Sequence, residues 1–169
     1  NFSRIDLILK ILPNSLFIIP IRDPLQHSFS LLQQHLNFIQ LQKKDDFVRR
    51  YMNYLGHNEF GIDHKAWNKP LNFHNPININ YWLEQWCLFY HNVFKNYQSY
   101  KSCFFLIYEE LTNIDYIKMI QEKVNLNEIV KLDYKFFKNS NKKKLIIDFD
   151  KNIYEKANSI YLELKNKFV

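Results

Sequence analysis

Phe17-Ile18-Ile19-Pro20-Ile21-Arg22-Asp23-Pro24-Leu25-Gln26-His27-Ser28-Phe29-Ser30 is the stretch on which the fold turns. With Leu16, its first residues make a short continuous apolar run bounded by turn residues. That is how a strand buried on both faces of a parallel sheet reads. Pro20 removes one ladder hydrogen bond and weakens the pattern. After Arg22 the chain starts a helix: Asp23 suits the N-cap and Pro24 the first helical position. Gln26 completes a capping-box pattern. Leu25, Phe29, Leu32, Leu36 and Ile39 then recur on one 3.6-residue stripe.

Upstream, Ile5, Leu7, Ile8, Ile11 and Leu12 have helical spacing, ended by Pro13-Asn14. Downstream, a helix of mixed charge is expected over about 45 to 55, ending near Gly56. Residues 56 to 77 form the longest irregular region, and loops of that length in compact domains are usually functional or mobile. Trp82, Trp86, Phe89, Val93 and Tyr97 mark an aromatic helix over about 79 to 97, with the stripe assigned to the core. Cys103 to Tyr108 is a second buried-strand run, closed by Glu109-Glu110. A short helix over about 114 to 123, a lysine-bearing loop from Asn139 to Lys144 and a last helix through Ile153, Ala157, Ile160, Tyr161 and Leu164 complete the chain. Strands alternating with helices predict a helix-rich α/β fold with a parallel sheet, in a single domain over 1–169.

Composition narrows the class. The 169 residues are 47% hydrophobic and 24% charged, which excludes wholesale disorder. Only 2 Gly and 5 Pro argue against an all-β chain of many tight turns. No apolar run reaches the length of a membrane span, and no signal-peptide pattern opens the chain. A formal charge of +6 favours an anionic partner without identifying it. Cys87 and Cys103 have neither metal-type spacing nor a disulfide framework. They read as buried thiols of a reducing compartment, so a cytoplasmic location is expected. The first residue is Asn1 and the chain opens directly into a helical pattern, which reads as a piece of a longer protein.

Chemistry concentrates at the strand-to-helix junction. Ligands of open α/β sheets bind outside the carboxyl ends of strands. A helix start offers unpaired N–H groups and a positive dipole end to an anion. Arg22 adds a forked cationic donor suited to phosphate. Ser30 lies roughly 10 Å along the helix, so Arg22 folded along it can share one phosphate with the Ser30 hydroxyl. Asp23 is then a cap and not a ligand, since a carboxylate repels phosphate. The residues equally permit a plain reading, with Arg22 paired to a carboxylate and Ser30 a small helical residue.

Arg22-Asp23-Pro24 with Ser30 eight residues after the arginine, behind an apolar strand, resembles the 3′-phosphate motif of the sulfotransferases. Those enzymes use 3′-phosphoadenosine 5′-phosphosulfate (PAPS) as sulfuryl donor. Pro13-Asn14-Ser15-Leu16-Phe17-Ile18 resembles the family's FPxAKFI lead-in, from which Leu12 and Ser15-Leu16 depart. Phe105-Leu106-Ile107-Tyr108-Glu109-Glu110-Leu111 is similar to the family's strand ending in Tyr-Glu-Asp-Leu. The last helix, with Ile160 to Leu164, is similar to the family's usual end, so the ordered set covers nearly the whole chain.

The resemblance implies a three-layer P-loop-like fold, incomplete because the N-terminal part is absent. It implies PAPS as co-substrate without a metal, and a hydroxyl or amine acceptor on a small molecule or glycan. It also implies that Arg22 and Ser30 bind the 3′-phosphate and that Tyr108 contacts the adenine, although a core tyrosine fits the sequence as well. A basic loop closes over the phosphate in part of the family, which makes Lys143, between Lys142 and Lys144, a further candidate; a solvated loop is the plainer meaning. The phosphate-cradling loop, the lysine near the sulfuryl group and the general base are expected upstream of Asn1, so the catalytic residues are unknown.

Other readings are weaker. A non-catalytic nucleotide-binding module would keep Arg22 and Ser30 and lose the chemistry. A nucleic-acid-binding domain is disfavoured, because Lys43-Lys44, Arg49-Arg50 and Lys142 to Lys144 are scattered and no recognition motif is present. Glu109 reads as a cap or bridge. His27 and His35 are eight apart on a helix, too far to share a metal, and His57, His64 and His74 lack short-spaced partners. His57 and His64 fit exposed loop positions or an acceptor pocket. The oligomeric state and the acceptor's identity are not encoded in any pattern of this sequence.

Overall fold

In the computed structural model, residues 4–69, 71–97, 100–125 and 147–166 are described. Both apolar runs form strands, β1 (Phe17–Ile21) and β2 (Cys103–Ile107), paired in parallel. The register sets Phe17 against Cys103 and Ile21 against Ile107, so the strands end level. Among the described residues, six helices accompany this pair: α1 (Ile5–Ile11), α2 (Pro24–Lys44), α3 (Asp46–Tyr54), α4 (Ile79–Tyr97), α5 (Ile114–Lys123) and α6 (Lys151–Asn166). One turn of 3-10 helix, Tyr108–Glu110, follows β2. The described residues are thus helix-rich with a two-stranded parallel sheet.

The chain divides into two compact units, and α4 and α6 each begin in one and end in the other. The first unit holds α1, the two strands, α5 and the ends of α4 and α6. Ile5, Ile19, Ile21, Phe104, Phe105, Ile107, Ile117, Ile120 and Leu164 form its core. The Tyr116 hydroxyl reaches up from α5 to accept the Ile107 N–H at 2.6 Å, which satisfies a strand-end donor away from water. Asn113 caps α5, its side chain accepting from the Asp115 and Tyr116 N–H groups.

The expectation that β1 is buried on both faces is corrected. Ile19 and Ile21 are buried, whereas Ile18 and Pro20 are exposed, so one face alone is covered. The side-chain period of two sends alternate residues to opposite faces, and an apolar run can hide that alternation. Pro20 falls in the exposed alternation.

The second unit contains α2, α3, most of α4 and the first part of α6. Its deepest residues include Leu32, Ile79, Trp82, Leu83, Trp86 and Ala157. The buried row of α2 differs from its apolar stripe. Pro24, Ser28, Leu32, His35 and Gln42 are buried, while Leu25, Phe29, Leu36 and Ile39 are only partly covered. The polar members of that row bind the following irregular region. His35 Nδ1 accepts the Gly61 N–H at 3.2 Å, and Gln42 Oε1 accepts the Ile62 N–H at 2.7 Å.

α4 holds the rest of the region in the same way. Gln85 both accepts from and donates to the Asn68 backbone, and Glu84 accepts the N–H groups of Asn72 and Phe73. Trp82 Nε1 donates to the Pro76 carbonyl at 2.7 Å. Residues 61 to 69 and 71 to 76 are therefore irregular in backbone but tied at many points to buried side chains.

Gly61 shows how close that approach is. Its φ is +90°, and a Cβ placed there would stand 2.3 Å from Gln42 Oε1. Gln42 cannot swing aside without losing its bond to the Ile62 N–H. Gly61→Ala is therefore expected to destabilise the protein by about 1–3 kcal/mol, combining backbone strain with the clash. Chemical denaturation measures this, and an unchanged midpoint would contradict the packing described.

Candidate functional site

Arg22 and Tyr108 are the residues immediately beyond the paired strand ends Ile21 and Ile107. Level strand ends bring them together. The guanidinium carbon of Arg22 lies 5.0 Å from the Tyr108 ring centroid, a cation–π contact. Tyr108 is exposed, which settles the alternative of a core tyrosine against the core. Glu109 bridges: it accepts from the Tyr161 hydroxyl at 2.9 Å, and beside it Glu110 pairs with Lys165 at 3.3 Å. The 3-10 turn behind β2 is thereby fastened to the end of α6, which fixes the backbone under Tyr108.

In the second unit, Asp23 Oδ1 accepts the Gln26 N–H at 2.9 Å, and Pro24 occupies the first turn of α2. Asp23 is the N-cap the sequence predicts. Ser30 is half-buried on α2 and its hydroxyl donates to the Gln26 carbonyl at 3.0 Å. A serine proton serves one acceptor at a time. An anion at Ser30 therefore requires the hydroxyl to turn from its own helix, a weak bond to give up. Lys143, with Lys142 and Lys144, lies outside the described residues.

The sequence missed a cluster of aromatic and imidazole rings in the second unit. His64 Nε2 meets the Tyr81 hydroxyl, and its Nδ1 donates to the Glu59 carbonyl at 2.8 Å. The His35 ring stands edge-on to His64 at 5.1 Å and both contact Trp82. The expectation that His64 is an exposed loop residue is thus corrected: the loop folds back onto α4. His57 is exposed and pairs with Glu59. The available signal was His35 three residues after Leu32, on a buried row.

Burial pushes the His35 imidazole down to about 4, helped by the nearby His64, and burial likewise lowers His64. Both are held neutral. The unfolded chain takes up these protons near pH 6.5, so stability is complete above that value and falls as pH drops toward 4. Asp63 adds nothing in this window. Its hydrogen bonds from Arg49 and Asn53 hold its carboxyl well below the usual range, so its contribution is lost only under stronger acid. The denaturation midpoint is expected to be clearly lower at pH 4.5 than at pH 7. A flat midpoint would mean that His35 is not buried as described.

A cavity of about 440 Å³ in the second unit is lined by Phe73, Glu84, Cys87, Leu88, Ile153 and Lys156 among others. Neither His57 nor His64 lines it. Burial pushes the Cys87 thiol up to about 11, and it faces the Ile153 carbonyl at 3.7 Å, so it is no ready nucleophile. Among the described residues, no group of three or more His, Cys, Asp or Glu is placed to hold a metal. No described helix is long and apolar enough to cross a membrane. No family model, curated protein or solved structure matches the chain.

Proposed function

We propose that this chain is part of a PAPS-dependent sulfotransferase and carries its 3′-phosphate site. The observation that supports this best is the Arg22–Tyr108 pair at the level ends of two parallel strands, with Asp23 capping the helix that follows. A cation–π contact engages the face of the guanidinium, whereas phosphate is bound by its N–H edge, so the two are compatible. Tyr108, being exposed, offers a ring and a hydroxyl for adenine. In this reading Arg22 and Ser30 bind the 3′-phosphate, and Lys143 adds charge. In this reading the two strands belong to the parallel sheet of a three-layer, P-loop-like fold with flanking helices.

Bound PAPS would supply the sulfuryl group: an acceptor hydroxyl or amine would bond to sulfur in line as the bond from sulfur to the 5′-phosphate oxygen breaks, 3′-phosphoadenosine 5′-phosphate would leave, and the acceptor's proton would pass to a base or to solvent. The chain's own residues contribute binding and orientation, which in group transfer of this kind supply much of the rate. Arg22 and Ser30 are binding residues, remote from the transferred group. The second reading is a nucleotide-binding module without chemistry, in which the same Arg22–Tyr108 pair serves binding alone. Radiolabelled PAPS separates the two. Transfer of label to a phenolic or sugar acceptor by the complete protein is the expected result; nucleotide binding without transfer supports the module, and neither rejects both.

A further inference from the structure

α3 presents an aromatic stripe to solvent. Val48, Arg49 and Met52 are partly covered, with Gln42 donating to Met52 Sδ, but no residue of the helix is buried, and Phe47, Tyr51 and Tyr54 are 63%, 53% and 87% exposed. Their spacing of four and three residues puts them on one stripe. Arg49 and Asn53, both bound to Asp63, lie about 150° round the helix from that stripe, at 100° per residue. The forked Arg49–Asp63 pair, with both bonds at 2.7 Å, clamps the polar side of α3 to the loop and turns the rings outward. Leu41 before the helix and Leu55 after it are also half-exposed.

Exposed cations accompany the rings. Lys43 and Lys44 precede the helix, and Arg50 borders the aromatic stripe; none has an ion pair among the described residues. Asp45 and Asp46 are the nearby acids, and Asp45 is engaged in capping the helix at the Phe47 N–H. From this exposed aromatic stripe and the cations beside it we infer that α3 is a docking face for an anionic membrane surface. The rings and leucines enter the headgroup boundary, and Lys43, Lys44 and Arg50 meet lipid phosphates and carboxylates. Two copies of the chain would set these cations against each other. A nucleic-acid strand would find no use for Leu41 and Leu55.

Co-sedimentation of the full chain with vesicles tests this. Binding to vesicles of phosphatidylcholine and phosphatidylserine in equal parts is expected to exceed binding to pure phosphatidylcholine by roughly fivefold, the scale for one net cation at an anionic surface once Asp45 and Asp46 offset two of Lys43, Lys44 and Arg50. The triple variant Phe47→Ser, Tyr51→Ser, Tyr54→Ser is expected to bind at least about tenfold more weakly with an unchanged melting temperature, since the rings are exposed. Lys43→Gln, Lys44→Gln, Arg50→Gln is expected to lose the preference for phosphatidylserine. Equal binding to both vesicles, no binding, or full binding by the triple serine variant would overturn the inference. So would loss, in that variant, of a dimer or of oligothymidylate binding in place of vesicle binding.

Discussion

Replacing Arg22 with Ala is expected to weaken binding of 3′-phosphoadenosine 5′-phosphate by roughly 10- to 150-fold, or about 1.5–3 kcal/mol, the worth of hydrogen bonds to a charged group. The arginine stands at the end of a strand whose hydrogen bonds to β2 fix its backbone, and its side chain rests on Tyr108. That support lowers the ordering entropy a free arginine loses on gripping phosphate. Arg22→Lys keeps the charge but not the fork, so it restores part of the affinity. Isothermal titration gives the values. An Arg22→Ala protein that binds as wild type would remove the phosphate role from this residue.

A second large effect is expected at Trp82. Its side chain is 0% exposed and touches the rings of His35, Phe60, His64, Trp67 and Tyr81. Its indole N–H also holds the Pro76 carbonyl. Trp82→Ala removes the centre of this cluster and leaves a cavity, at a cost of about 3–5 kcal/mol. That is a large share of an ordinary stability of about 5–15 kcal/mol. The melting temperature is expected to fall by roughly 10 °C, at about 2–4 °C per kcal/mol for this chain length. Trp82→Phe keeps an apolar ring and loses the bond to Pro76, so its effect is smaller. A fall of only a degree or two in Trp82→Ala would show that the ring cluster does not hold residues 61 to 69 and 71 to 76.

The local features were legible for local reasons. A helix start with Asp23 and Pro24 declares itself within four residues, and the aromatic period from 79 to 97 marks α4 to both ends. The two strands showed as apolar runs between turn residues. What the runs could not disclose was how many layers cover them, and Ile18 is exposed as a result. On α2 the apolar stripe misled because His35 and Gln42 are buried for hydrogen bonds that close over 26 and 20 residues. Such pairings are invisible to periodicity, which sees only neighbours along one element. Of the candidate site, the order strand, arginine, capped helix was readable. The meeting of Arg22 with Tyr108 depended on strand register, which no spacing in the sequence sets.

The most direct measurement is a calorimetric comparison of 3′-phosphoadenosine 5′-phosphate with adenosine 5′-phosphate as ligands of the wild-type chain. The two differ by the 3′-phosphate alone. A site built on Arg22 binds the first at least about tenfold more tightly, and the gap closes in Arg22→Ala. Equal affinities in the wild type, or a gap that survives Arg22→Ala unchanged, would contradict the account.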